Sequence, residues 1–150
     1  GILPLAPEDD DLAVVMGHEV AHVLAKHGNE RMSQALVMQM GGQTLSYALE
    51  KNSVKATNLY MQLYGIGSQV GVLLPYNRVQ EAEADRIGLS VMAMAGYDPR
   101  VAPAFWERMN AQGGSRPPEF LSTHPAPDTR IRKIEEFMPE AMAYYKGNRE

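Results

Sequence analysis

The chain has 150 residues, no cysteine, and 14 Lys and Arg against 18 Asp and Glu, for a net charge of −4. That length is enough for one domain with a sizeable core, and 45% apolar with 21% charged residues is a globular rather than a disordered balance. The missing cysteines exclude a disulfide framework, a thiolate metal site and a cysteine nucleophile, and a mildly acidic chain without a Lys/Arg cluster is not built to bind nucleic acid.

The chain opens on Gly1, not Met, with no charged-then-apolar leader, which points to a removed signal segment or a fragment. Residues 1–7 (GILPLAP) are extended by two prolines. Glu8, Asp9, Asp10 and Asp11 place acids at a helix start, where they complement the dipole. The pattern predicts a helix from about Asp10 to Lys26 or His27, stopped by Gly28, with His27 as a C-terminal cap. Its other residues, among them Val15, Met16, Val20, Val23 and Leu24, are small or apolar, which predicts burial nearly all round. A second helix is predicted over Glu30–Leu49, a break at Lys51–Ser53, and a third helix from Val54 that ends before Pro75. Met32–Leu49 and Ala56–Asn77 carry no charge. Gln34, Gln39 and Gln43 in the first, and Asn58, Gln62, Gln69 and three glycines in the second, make both too polar to span a bilayer. They read as buried or partner-facing helices. Their methionines, Met32, Met38, Met40 and Met61, suit an adaptable core or a peptide-contacting surface.

Arg78–Ala95 reads as an amphipathic helix stopped by Gly96 and Pro99. Pro99–Gln112 is another and carries the sole tryptophan, Trp106. Gly113–Pro127 is a proline-rich loop. Asp128–Phe137 and Pro139–Tyr145 close the chain as two short helices, with Pro139 in a first turn. Val70–Leu74 is the one weak strand candidate. The fold class is therefore mainly α, in one domain over residues 1–150.

Residues 18–22 read HEVAH, the H-E-x-x-H pattern, inside the first predicted helix. At 100° per residue His18 and His22 lie one turn apart on one face, so both imidazoles reach one ion. Glu19 is offset from that axis and is placed to take a proton from a water at the metal. Residues 81–85 read EAEAD. Glu81 and Asp85 share a helix face and Glu83 points elsewhere. A catalytic zinc needs a third protein ligand, which Glu81 supplies. Asp85 is placed to accept a hydrogen bond from a ligand histidine and fix its tautomer. The competing reading of Glu81 and Asp85 is a solvated acidic face flanked by Arg78 and Arg86.

HEVAHVLAKH, then EAEADRIG, then STHPAPDTR resembles the zinc metallopeptidases grouped with the CAAX prenyl protease and the HtpX protease, which are gluzincins. The likeness is strongest to the soluble envelope branch of the BepA and LoiP type and to the mitochondrial Oma-type peptidases. It implies a zincin-like core with one Zn²⁺ per chain, held by His18, His22 and Glu81, with Glu19 as base and Asp85 behind a ligand. An H-P-x-x-x-x-R element matches His124, Pro125 and Arg130. In the envelope branch that histidine resembles a gate that takes the fourth zinc position. An imidazole there could equally donate to the oxyanion of the tetrahedral intermediate, or be a plain surface residue. Arg130 either anchors the loop through a carboxylate or is an exposed arginine at a helix start. Family members carry a small sheet upstream of the active-site helix. It is largely absent here, so the chain is expected to be truncated at its N-terminus, with substrate docking by strand addition in question.

The reading is a zinc metalloendopeptidase acting on misfolded or stalled envelope proteins, membrane-protein clients included, in the bacterial periplasm by resemblance. Its rival is a zinc-containing quality-control or scaffold module that binds clients and cuts rarely. Glu19 favours the enzyme, because a structural site gains nothing from it.

Overall fold

The computed structural model of the chain describes residues 3–111, 124 and 129–147. Every regular element among the described residues is helical: a 3-10 turn at Leu3–Leu5, α1 (Asp9–Leu24), α2 (His27–Ala48), α3 (Val54–Ser68), a π segment (Gln69–Leu73), α4 (Leu74–Met94), a 3-10 turn at Pro99–Val101, α5 (Ala102–Ala111) and α6 (Arg130–Met142). The chain divides into two compact units, Gly1–Ala25 with Gln80–Glu150, and Lys26–Val79. No described helix is long and apolar enough to cross a membrane.

In the first unit, Asp9, Asp10 and Asp11 occupy the first turn of α1. Two of them also tie the helix to its neighbours. Asp10 accepts the Asp98 N–H at 3.1 Å, and Asp11 accepts from Arg108 at 2.5 Å. The core joins Val14 and Val15 of α1 to Leu89 and Met92 of α4, Phe105, Trp106 and Met109 of α5, and Ile134 of α6. Burying each such large side chain contributes about 1.5–3 kcal/mol. α1 and α4 meet backbone to backbone at Gly17 and Gly88. A Cβ on Gly17 would stand 2.7 Å from the Gly88 carbonyl oxygen, and one on Gly88 would stand 2.8 Å from the His18 nitrogen. This contact sets the two motif helices at the separation the site needs.

In the second unit, α2 and α3 form a hairpin. Ser53 caps α3 by accepting the Ala56 N–H at 3.3 Å. Gly41 and Gly42 make room for the Tyr64 ring, whose hydroxyl donates to the Met38 carbonyl at 2.8 Å.

Several predicted boundaries move. α1 stops at Leu24, and the left-handed residue is Lys26, with φ 57°. Gly28 lies inside α2, whose first residue is His27, so His27 is a buried helix-start residue and not a C-terminal cap. α1 is not buried all round, because Leu12, Met16, Val20, Val23 and Leu24 are exposed. Met32 and Met40 are likewise exposed and not core, whereas Met38 and Met61 are partly buried. Pro75 does not end a helix. The π segment before it widens the turn, with the Leu74 N–H reaching the Gln69 carbonyl, so the helix passes the missing proline donor. Val70–Leu74 is therefore helical, not a strand. Pro139 sits inside α6 and does not divide it. The predicted loop over Gly113–Pro127 lies outside the described residues except for His124.

Candidate metal centre

α1 and α4 present their motif residues to one point. His18 and His22 project from α1 one turn apart, with Nε2 atoms 3.0 Å from each other. Glu81, in α4, brings Oε2 to 3.2 Å from the His18 Nε2 and Oε1 to 3.4 Å from the His22 Nε2. His124 comes from outside both helices. Its Nδ1 lies 3.4 Å from the His18 Nε2 and 3.1 Å from the Glu81 Oε2. One ligand atom from each of the four residues lies within 4.8 Å of every other.

These separations fit an ion. Tetrahedral zinc with bonds of about 2.0–2.1 Å holds its ligand atoms about 3.3–3.4 Å apart. The separations of 3.0–3.4 Å among these donors, with the two Glu81 oxygens facing different histidines, are close to the edges of such a tetrahedron. The donor set of three imidazoles and a carboxylate suits zinc or a neighbouring transition metal, and the absence of cysteine makes it a nitrogen–oxygen site.

The surroundings orient the donors. The His18 Nδ1–H donates to Asp85 Oδ1 at 2.9 Å, which leaves the Nε2 lone pair directed at the centre. Asp85 Oδ1 also accepts from Arg130 Nη2 at 2.5 Å. Arg130 is only 2% exposed, and its guanidinium carbon lies 3.4 Å from the centroid of the Trp106 ring. Its Nε and Nη1 have no hydrogen-bond partner among the described residues, so stacking on the indole takes the place of those bonds. The Trp106 ring also meets His18 edge-on, with centroids 6.1 Å apart. Glu81 and Asp85 are thus buried and not a solvated acidic face. Of the two arginines flanking that motif, Arg86 pairs with Glu140 at 2.7 Å.

The electrostatics favour positive charge at the centre. Burial presses His18 towards its neutral form, but its hydrogen bonds to Asp85 and Glu81 outweigh this and hold its pKa above the ordinary 6.5. Burial likewise opposes ionised Glu81, yet hydrogen bonds from His124 and His18 hold its carboxyl far below the usual carboxylate range. The cluster keeps a carboxylate charged in a buried place and draws a proton to the facing imidazole, as a cation site does before it is loaded.

Glu19 stands apart from the four ligand atoms. Its side chain is 47% exposed, and its Oε1 lies 3.3 Å from the His124 Nε2. His124 therefore spans the centre, with Nδ1 among the ligand atoms and Nε2 against Glu19. Sequence reasoning placed His18, Glu19, His22, Glu81, Asp85, His124 and Arg130, and the structure brings all seven together. It missed Trp106 as the platform for Arg130, and Gly17 with Gly88 as the contact that spaces the helices. A glycine at position 88, three residues past Asp85 inside a strong helix, was the available hint.

A model of peptidase family M48 matches residues 1–138. The chain is 39% identical over 143 residues to the mitochondrial metalloendopeptidase OMA1 of Schizosaccharomyces pombe, which covers 94% of this chain and 40% of that protein. It is 34% identical over 151 residues to the OMA1 protein of Saccharomyces cerevisiae, covering 97% and 41%. It is 33% identical over 132 residues to the beta-barrel assembly-enhancing protease of Escherichia coli, covering 82% and 26%. The chain thus spans about two fifths or less of the length of these relatives. No solved structure matches it.

Proposed function

The chain belongs to peptidase family M48, and from that premise we propose that it carries a zinc-dependent metalloendopeptidase centre with His18, His22 and Glu81 as the resident ligands. The observation that carries this reading is the set of 3.0–3.4 Å edges among the donor atoms of two helices. Zinc there supplies Lewis acidity, which lowers the pKa of a water towards 7 and polarises a scissile carbonyl. The residues of the chain do the rest. Asp85 holds the His18 ring in the tautomer that points Nε2 inward, and Arg130 with Trp106 holds Asp85. Glu19, offset on α1, takes the proton of the attacking water and delivers it to the leaving amine.

His124 is proposed as a latch. In the geometry described, its Nδ1 lies 3.4 Å from the His18 Nε2 and 3.1 Å from the Glu81 Oε2, and its Nε2 lies 3.3 Å from the Glu19 Oε1, so one side chain would take up both the water position and the base. Withdrawal of His124 frees both at once. Arg130, six residues on, is fixed against Asp85.

The substrates are proposed to be misfolded or stalled envelope proteins in a bacterial periplasm, membrane-protein clients among them. Similarity to a protease named for enhancing β-barrel assembly supports that reading, and similarity to mitochondrial metalloendopeptidases supports a mitochondrial setting as the second one. Cleavage of an unfolded protein by the zinc-loaded chain, and not by Glu19→Gln, tests the chemistry. A non-cleaving scaffold would show no difference between the two. Loss of the base costs ~10²–10⁴-fold in rate, so near-wild-type cleavage by Glu19→Gln, with trace protease excluded, refutes the assignment.

A further inference from the structure

Arg130 reaches the metal centre through Asp85, and hydrogen bonds alone hold it there poorly. Its Nη2 donates to Asp85 Oδ1 at 2.5 Å, while Nε and Nη1 are buried and have no hydrogen-bond partner among the described residues. The same Nη2 stands 3.2 Å from the His18 Nδ1. With the Nδ1–H given to Asp85, that nitrogen has no lone pair left to accept with, so the two groups face each other donor to donor. The guanidinium has thus given up the hydration of two N–H groups for a single carboxylate oxygen, a balance that favours its withdrawal towards water.

The indole of Trp106 opposes that withdrawal. The guanidinium carbon lies 3.4 Å from the ring centroid, well inside the roughly 6 Å over which a cation is drawn to an aromatic face. Both groups are buried, which strengthens the attraction. A planar guanidinium stacks on such a face in a way that no aliphatic side chain reproduces. The ring is itself fixed, because Phe105 meets it edge-on with centroids 5.2 Å apart inside the buried core. It also meets the His18 imidazole, so one side chain bears on both partners of Asp85. The void that His18, Asp85 and Trp106 help to line is about 10 Å³, at or below the least that one water needs, about 10–15 Å³. No water competes for Asp85 from that side while the indole is in place.

We propose that Trp106 is a positioning residue of the metal centre. By stacking on Arg130 it holds Asp85, and through Asp85 the His18 ring, in the geometry that takes up zinc. This rests on the zinc reading above and adds to it a residue that contributes no ligand atom. An aromatic face is then what position 106 must supply. Trp106→Leu removes the face and keeps an apolar side chain, whereas Trp106→Phe keeps a smaller face.

Zinc titration of the full chain against a chromophoric chelator tests this. Trp106→Leu should weaken zinc about 10-fold or more, within the 10–100-fold span seen when ligand-orienting contacts are lost. Trp106→Phe should recover most of that loss, because a phenyl face still stacks. In an Arg130→Met chain the Trp106→Leu change should cost little further affinity, since the ring has no guanidinium left to hold. Met109→Ala, buried one turn on in the same helix and core, separates lost position from lost stability. It should lower Tm and leave zinc affinity unchanged, and circular dichroism verifies that each variant folds. The metal-free chain gives a second readout. There the His18 Nδ1–H, held by Asp85, should give a downfield proton resonance that exchanges slowly. That signal should persist in Trp106→Phe and Met109→Ala and broaden in Trp106→Leu. Unchanged zinc affinity in Trp106→Leu overturns the proposal and leaves the zinc reading standing. So does a Phe variant as weak as the Leu variant, an equal loss in Met109→Ala, or full additivity with Arg130→Met. A wild-type chain that takes up no zinc overturns both.

Discussion

Gly88→Ala tests whether the α1–α4 contact positions the metal ligands. The added Cβ would stand 2.8 Å from the His18 nitrogen, 2.9 Å from the Gly17 carbonyl carbon and 3.0 Å from its oxygen. All three atoms are backbone, so no side chain can swing away. Ordinary contact begins near 3.4 Å, so α1 and α4 must part by about 0.6 Å, whereas metal–ligand distances tolerate about 0.2 Å. Two energies of opposite sign compete. Alanine in a helix interior gains about 0.5–1 kcal/mol over glycine, and overpacking a close-packed contact costs about 1–3 kcal/mol. The contact wins because it is rigid on both sides. We expect a net loss of about 1–2 kcal/mol, a fall in Tm of about 2–8 °C, and zinc affinity weakened about 10–100-fold, the range seen when ligand-orienting contacts are lost. Thermal melts of the metal-free chain give the first quantity, and competition with a chromophoric chelator gives the second. Gly65→Ala, where a Cβ meets nothing within 4 Å, is the control and should be neutral or stabilising. Unchanged zinc affinity in Gly88→Ala would refute the claim that this contact sets the ligand spacing.

His124→Ala should raise basal cleavage of an unfolded protein if the residue is a latch, and lower it ~10²–10³-fold if it is an oxyanion donor; wild-type behaviour in that assay excludes both roles. Arg130→Met should destabilise the chain by about 3–5 kcal/mol, because it strands the buried Asp85 carboxylate, with Arg130→Lys intermediate since it keeps the charge and loses the planar stack on Trp106; equal melting of the Lys and Met variants would show that the charge at this position contributes nothing. In the metal-free chain the His18–Glu81 pair stabilises fully between the ordinary values of 4.5 for Glu81 and 6.5 for His18. The raised His18 pKa means that this term is lost as pH climbs through it, and the lowered Glu81 pKa means that it is lost only in strong acid. Zinc competes with the same proton, so the Tm gain on adding zinc should grow from pH 6 to pH 8, and a gain that shrinks over that range contradicts the ligand assignment.

The sequence exposed what depends on local period and hid what depends on contact. HEVAH and EAEAD were legible because helix geometry converts an i, i+4 spacing into a shared face without knowledge of the rest of the fold. The helices themselves were legible within a few residues for the same reason. The errors cluster where a local rule was overridden. Pro75 read as a stop because nothing in its neighbourhood announces a π segment, in which the wider turn removes the clash. Gly28 read as a stop because glycine takes left-handed conformations most readily, yet Lys26 adopts one, at φ 57°. The outward face of α1 read as buried because apolar composition does not say whether a covering element is present.

The support of the site was invisible for a different reason. Arg130 lies 45 residues from Asp85, and Trp106 belongs to a third helix. No periodicity links α4, α5 and α6, so their convergence is a property of packing. That convergence constrains the chemistry. A guanidinium that is 98% buried needs an anion, and Asp85 is the one it has. That anion is already committed to the His18 Nδ1–H, so the charge of Arg130 limits how far Asp85 can draw the proton away from the ring. Asp85 thereby holds the His18 Nδ1 on its own side and turns Nε2 inward, where Glu81 and His22 converge. Arg130 and His18 thus belong to one chain of contacts through Asp85. This is the physical reason that the H-P-x-x-x-x-R element and the H-E-x-x-H helix answer to the same site.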